Sequence, residues 1–303
     1  MERSRGTFSI VAFDPETREV GVAVQSKYFA VGAVVPWARA GAGAVATQAA
    51  GRAAYGPEIL ELLAAGAEPA AAIERALAGD ERRETRQLGV VDAAGRAAAF
   101  TGSECSDWAA HRTGPGYAAQ GNILAGEEVV SEMTRAFEVT AAPLAERLVA
   151  ALEAGQAAGG DRRGQQSVAL VVERPGGIPG SREAIDRVVD LRVDDHAEPI
   201  RELRRLLELH TRWRLVMETA EPYERRDWAA AIAATEAALA RFPGDPLLLY
   251  NLACCESLDG RREAALVHLE QALAADASLL ETARADSDFV AIADEPGFRA
   301  LVS

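Results

Sequence analysis

The sequence predicts an α+β fold with antiparallel sheets, joined to an all-helical C-terminal region. Three observations carry that expectation. Strand-like segments come in runs and are followed by runs of helix-like segments, without the β-α-β-α alternation of a doubly wound parallel sheet. Hydrophobic residues make up 49% of the 303 residues, enough for a sizeable buried core. From about residue 197 the pattern turns to continuous helix and contains an internal repeat.

Residues 7–13, Thr-Phe-Ser-Ile-Val-Ala-Phe, read as a first strand. Asp14-Pro15-Glu16-Thr17 is a turn signal, and Val20 to Gln25 alternates as a second strand, closing an N-terminal hairpin. Alternation sets Val20, Val22 and Val24 on one face, with Gln25 and Lys27 on the other beside Thr7. Residues 31–35 and 43–48 are further short strands, joined through Pro36-Trp37 and Gly41. Two helices follow, one opening near Pro57 and stopping at Gly66, the other opening near Pro69 and stopping at Gly79. Leu88–Val91 and Arg96–Thr101 flank a turn at Asp92-Ala93-Ala94-Gly95. A glycine-punctuated loop runs to Tyr117, helical patterns cover about 126–138 and 143–156, and Ser167–Glu173 and Val188–Val193 are late strands separated by a Gly/Pro-rich loop at 175–180. Ile200 to Leu209 is amphipathic helix. Beyond it, Ala231 and Ala265, Ala238 and Ala272, and Leu239 and Leu273 each stand 34 residues apart, the period of a tetratricopeptide repeat. Two domains follow, 1–210 and 211–303. Two such repeats rarely stand alone, so the tail is expected to pack on the first domain or on a partner subunit.

Composition excludes several functions. The balance of 32 Lys+Arg against 46 Asp+Glu, a net charge of -14, disfavours nucleic-acid phosphates and anionic membranes as partners. No apolar run approaches a membrane span, and Met1-Glu2-Arg3-Ser4-Arg5-Gly6 has no signal-peptide character. Cys105, Cys254 and Cys255 form no paired framework, which points to a reducing cytoplasm. Every basic residue but one is Arg; Lys27 is the single lysine, a compact amine with a tunable pKa. Asp194-Asp195-His196 offers hard ligands, yet it sits where a helix begins, so no metal or cofactor is expected. Cys105 has no histidine in a matching motif to activate it.

The first hairpin resembles the opening of N-terminal-nucleophile (Ntn) hydrolases, especially proteasome-type β subunits, where a Thr after Gly heads a strand and a second strand reads like Val-x-Val-Ala-Val-Asp-Ser-Arg. Here Gly6-Thr7 and Val20-Gly21-Val22-Ala23-Val24-Gln25-Ser26-Lys27 stand in those places. Gly43 to Ala50, including Thr47 and Gln48, is similar to the segment that supplies the oxyanion hole. Gln120-Gly121-Asn122 and Asp161-Arg162-Arg163-Gly164 resemble the motifs that steady the nucleophile's amine. Across about residues 7–210 the chain resembles the bacterial domain-of-unknown-function family 1028, grouped with the Ntn-hydrolase-like fold, on Thr7 to Ala12, Gly32 to Trp37, Gln120-Gly121-Asn122, Gly159 to Gln165 and Asp190 to His196. Some members carry a tetratricopeptide tail.

The resemblance implies a four-layer αββα sandwich followed by a tetratricopeptide-like tail. It implies hydrolysis of a small amide or peptide-like substrate, with Thr7, Lys27 and Asp161 catalytic and Ser26, Thr47, Gln48, Asn122, Arg163 and Gln165 binding. A threonine hydroxyl needs a base, and a free α-amine on the same residue can be that base. The sequence departs from the pattern: Gln25 replaces the expected Asp, Gly164 the expected Ser, and Lys27 lies on a different segment from the usual lysine. The alternative is a non-catalytic relative that binds a small molecule or peptide in the same pocket, with the tail recruiting a protein partner. A flat sandwich and a two-repeat tail further suggest a homodimer.

Overall fold

The computed structural model describes residues 6–177 and 185–303. Met1–Arg5, and part of the loop expected at 175–180, lie outside the described residues. The chain divides into two units, one running up to Glu208 and the other covering Leu209–Ser303.

The first unit contains two antiparallel sheets. Strands β1 (Thr7–Phe13), β2 (Val20–Ser26), β3 (Pro36–Arg39) and β4 (Gly43–Ala49) precede helices α1 (Tyr55–Ala64) and α2 (Pro69–Leu77). Next come β5 (Arg86–Asp92), β6 (Ala97–Thr101), β7 (Ala110–Gly114) and β8 (Tyr117–Asn122), then α3 (Glu128–Val139) and α4 (Leu144–Ala157). Strands β9 (Ser167–Glu173) and β10 (Arg187–Val193) complete a six-stranded sheet of order β10-β9-β2-β1-β8-β7; the other sheet has order β3-β4-β5-β6.

Three apolar cores separate these layers. Phe8, Ile10, Leu170 and Val172 on one face of the six-stranded sheet meet Met133, Phe137, Leu148 and Leu152 of α3 and α4. Between the sheets, Val11, Val22, Val24 and Val171 pack on Ala44, Ala46 and Val91. Beyond the four-stranded sheet, Val45, Leu88 and Val90 meet Tyr55, Ile59, Leu63 and Ile73 of α1 and α2. Truncating one such fully buried side chain, Leu148→Ala for example, removes roughly 2–5 kcal/mol.

Three segments differ from the sequence reading, the first being Pro36-Trp37, expected as a joint but part of β3, where it pairs with β4. Residues 31–33 form a 3₁₀ turn rather than a strand, because Ala30 enters it at φ 52° and the Val31 N–H donates to Ser167 Oγ at 3.0 Å instead of to a neighbouring strand. The loop expected before Tyr117 holds β7, and Tyr117–Asn122 itself is β8, paired with β1.

The inter-sheet layer turns polar near the head of β1. Ser9, Gln120 and Asn122 project from one sheet, Gln48 and Gln87 from the other, all at most 2% exposed. Ser9 Oγ donates to Gln48 Oε1 at 2.6 Å, Gln48 Nε2 donates to Gln87 Oε1 at 2.8 Å, and Asn122 Nδ2 donates to the same Gln87 oxygen at 2.9 Å. Gly89 makes room for this layer: a Cβ there would stand 1.9 Å from Gln120 Oε1.

The second unit is helical. Helix α5 (Pro199–Glu218) buries Ile200, Leu203 and Leu207 in the first unit's core and continues into the second unit. It is followed by α6 (Ala220–Glu224), α7 (Trp228–Arg241), α8 (Pro246–Leu258), α9 (Arg262–Ala275), α10 (Leu280–Ala285) and α11 (Pro296–Leu301). Of the residues 34 apart, Ala231, Ala265 and Ala272 are 0% exposed and Ala238 is 1% exposed, while Leu239 and Leu273 are partly buried. Asp227 and Asp245 cap α7 and α8 by accepting from backbone N–H groups, which satisfies donors the helix leaves open. Among the described residues, no helix is long and apolar enough to cross a membrane.

Candidate functional site

Thr7 heads β1 with Ser26 of β2 on one side and Asn122 of β8 on the other, each in register with it. Partners across an antiparallel pair share a face. Thr7 therefore looks the same way as Ser26, into the inter-sheet layer, and alternation sends Lys27 elsewhere. The expectation that Lys27 shares a face with Thr7 is not met. Its ammonium is exposed and donates to the Gln165 carbonyl at 3.0 Å; only its backbone N–H approaches the site, donating to Asp161 Oδ2 at 3.1 Å. Gln165 thus contributes a carbonyl to Lys27.

The Gly6 carbonyl is the focus of the polar contacts. Thr7 Oγ1 donates to it at 2.6 Å, Ser26 Oγ at 2.5 Å and Arg163 Nη2 at 2.7 Å. Thr7 Oγ1 also lies 3.0 Å from Ser26 Oγ. Each hydroxyl has one proton, so Thr7 can donate to Ser26 while Ser26 donates to the carbonyl, or both can donate directly. A guanidinium and hydroxyls aimed at one carbonyl oxygen favour negative charge there.

Asp161 holds the guanidinium in place. Its carboxylate accepts Arg163 Nη2 at 2.7 Å, Arg163 Nε at 3.1 Å and the Arg163 backbone N–H at 2.9 Å. The Asp161 side chain is fully buried and that of Arg163 is 30% exposed. Gly6 passes so close that a Cβ on it would stand 2.7 Å from both carboxylate oxygens, so only glycine fits.

On its other side the Thr7 hydroxyl meets a pocket of about 80 Å³, lined also by Ser26, Thr47, Val31, Val35, Ala49 and Ala53. Thr47 Oγ1 donates to the Arg52 carbonyl at 3.2 Å. Ala49, at the end of β4, holds φ 64°, a left-handed conformation unusual for a residue with a Cβ. Behind it, Arg86 donates to the Ala50 carbonyl and to Asp80 Oδ2, and the Tyr55 hydroxyl donates to the same carboxylate.

The sequence-derived residues thus fall into four places. Thr7, Ser26 and Thr47 line the pocket; Asp161 and Arg163 clamp the Gly6 side; Gln48 and Asn122 belong to the buried polar layer; Lys27 and Gln165 pair at the surface. Gln48 Nε2 also donates to the Thr7 carbonyl at 3.3 Å. Sequence reasoning did not find Gln87, whose only signal is a polar residue in an otherwise apolar strand, nor the Asp80–Arg86 brace, which has no local motif. Elsewhere, burial pushes the Cys105 thiol up to about 11, leaving it a poor nucleophile. Asp195 and His196 take N–H donors from Gln166 and Glu198.

Fold and site together define a two-sheet α+β protein with a threonine at the head of the central hairpin. The chain belongs to the DUF1028 family, described as a family of unknown function, whose model matches residues 7–203. A crystal structure of a DUF1028 protein from Silicibacter pomeroyi is similar to it, with 36% sequence identity and a TM-score of 0.61, over 68% of this chain and 89% of that one. No curated protein matches the chain.

Proposed function

We propose that the first unit is an N-terminal-nucleophile hydrolase, an αββα sandwich of the Ntn type acting on a small amide or peptide-like substrate. The observation that carries the reading is the Gly6 carbonyl, which receives the Thr7 and Ser26 hydroxyls and the Arg163 guanidinium while the same threonine lines a pocket. In this reading the chain first cuts itself. The Thr7 oxygen adds to the Gly6 carbonyl carbon, the C–N bond breaks, and the hydroxyl proton ends on the freed Thr7 amine, leaving an ester. Water then hydrolyses the ester, releasing the Gly6 carboxylate and restoring the hydroxyl. Among the described residues, no titratable side chain hydrogen-bonds to the Thr7 hydroxyl, so the freed α-amine, with an ordinary pKa near 8, is the base the site needs. The amine then serves each turnover, with Ser26 and Arg163 as donors to the developing oxyanion. The helical unit is read as two tetratricopeptide-type repeats that engage a protein partner. The reading takes the working form as a cytoplasmic homodimer without a cofactor.

Intact mass of the purified protein tests this. Wild type is expected to lack residues 1–6, and Thr7→Ala to keep them. A wild-type chain that retains them through prolonged incubation sinks the hydrolase reading. The second reading, a non-catalytic binding protein with a partner-recruiting tail, draws on Asp161, which is engaged with Arg163 rather than free to tune an amine.

A further inference from the structure

We infer that the pocket beside Thr7 accepts a small branched aliphatic group, of the size of a valine side chain, on the carbonyl side of the bond to be cut. The size and the chemistry of the pocket stand by themselves; its place beside a scissile bond rests on the hydrolase reading.

Three properties of the pocket lead here. Half of its lining residues are aliphatic: Val31, Val34, Val35, Ala49 and Ala53. Among the described residues, the hydroxyl-bearing ones that line it are Thr7, Ser26, Tyr28 and Thr47, and no charged residue lines it. A charged group entering it would lose its water without gaining a partner. Its volume is about 80 Å³, roughly half that of a ~150 Å³ apolar cavity known to take up benzene. An aromatic ring is therefore too large, and a methyl group alone leaves space unfilled.

The walls are also tied down, so the pocket does not readily enlarge. On one side the Val31 N–H is bound to Ser167 Oγ at 3.0 Å, and the Thr47 N–H to the Val35 carbonyl at 3.1 Å. On the other side Ala49 holds its left-handed conformation, the Ala50 N–H donates to the Thr85 carbonyl at 3.2 Å, and Arg86 grips the Ala50 carbonyl. In such a site one methylene too many or too few changes selectivity by about 10–200-fold.

The test uses the full chain and ligand-observed NMR titration with four probes: N-acetyl-alaninamide, N-acetyl-valinamide, N-acetyl-phenylalaninamide and N-acetyl-lysinamide. The valine probe is expected to bind at least tenfold more tightly than the phenylalanine and lysine probes, and more tightly than alanine. Ala53→Leu, which fills the pocket from its wall, should abolish valine binding while the melting temperature stays near wild type. The wild-type series alone decides the matter should that variant misfold. Equal binding of phenylalanine or lysine, or no binding of valine, overturns the inference. The matching p-nitroanilides separate it from the hydrolase reading. Valinamide binding without cleavage of any anilide defeats the hydrolase reading alone. Cleavage of the phenylalanine or lysine anilide in preference to valine defeats this inference alone.

Discussion

At the scale of single residues, the Asp161–Arg163 pair serves two ends. It neutralises a fully buried carboxylate and it presents a guanidinium to the Gly6 carbonyl. Arg163→Met leaves that carboxylate without its cation. Urea unfolding is expected to show a loss of roughly 1–3 kcal/mol, below the 3–5 kcal/mol of a fully buried broken pair because Arg163 is partly solvated. Asp161→Asn in the same chain should restore part of it, the non-additivity of a coupled pair. Self-cleavage at Gly6 should slow at least tenfold in Arg163→Met, about 1.4 kcal/mol in the barrier. An unchanged cleavage rate would make Arg163 an ion-pair partner only. Of these residues, Thr7, Asp161 and Arg163 were legible because each belongs to a short motif. Lys27 was misplaced because strand alternation was applied without the register that pairs Thr7 with Ser26. Register is set by tertiary pairing and is not written in either strand alone.

At the scale of elements, the Asp80 carboxylate joins α1, β5 and the segment after β4. The Arg86 guanidinium, then the Tyr55 hydroxyl, hold its carboxyl well below the usual range. A group whose folded pKa is depressed adds stability above its unfolded pKa and loses it as pH falls toward the folded value. The advantage of wild type over Asp80→Asn should therefore be constant near neutrality and shrink below about pH 4, the ordinary aspartate range. Urea midpoints of both proteins between neutral pH and about pH 2 check this; parallel curves would show that Asp80 gives no pH-dependent stability. The elements themselves differed in legibility. β1 and β2 carry alternation and β-branched residues and could be read directly. β7, Ala-His-Arg-Thr-Gly, is a polar edge strand with little burial to leave a pattern. β8, Tyr-Ala-Ala-Gln-Gly-Asn, is wholly buried, and its Gln and Asn look like loop residues until Ser9 of β1 and Gln87 of the opposite sheet are in place to bond their side chains.

At the scale of the whole molecule, the two units have separate apolar cores. One set involves the sheets, α1 to α4 and the start of α5; the other is centred on α8 and α9. Of the residues 34 apart in the sequence, Ala265 and Ala272 are buried in that second core, where a small side chain lets helices approach closely. Ala265→Leu forces extra carbons into a site with 0% exposure. Overpacking of this kind costs about 1–3 kcal/mol. Hydrogen-exchange mass spectrometry should show faster exchange in α8 and α9, with β1, β2 and β4 protected as in wild type. Equal loss of protection in both units would mean that they unfold as one.

Lys27 has a practical consequence of its own. It is the only side-chain amine in the chain, it is exposed, and it adjoins Ser26. An amine-reactive fluorophore therefore has a single side-chain address, one residue beyond Ser26, with no cysteine to introduce and no native lysine to remove. Labelled there, the protein carries a reporter at one known position, and its emission can be screened against candidate ligands whether or not anything is turned over.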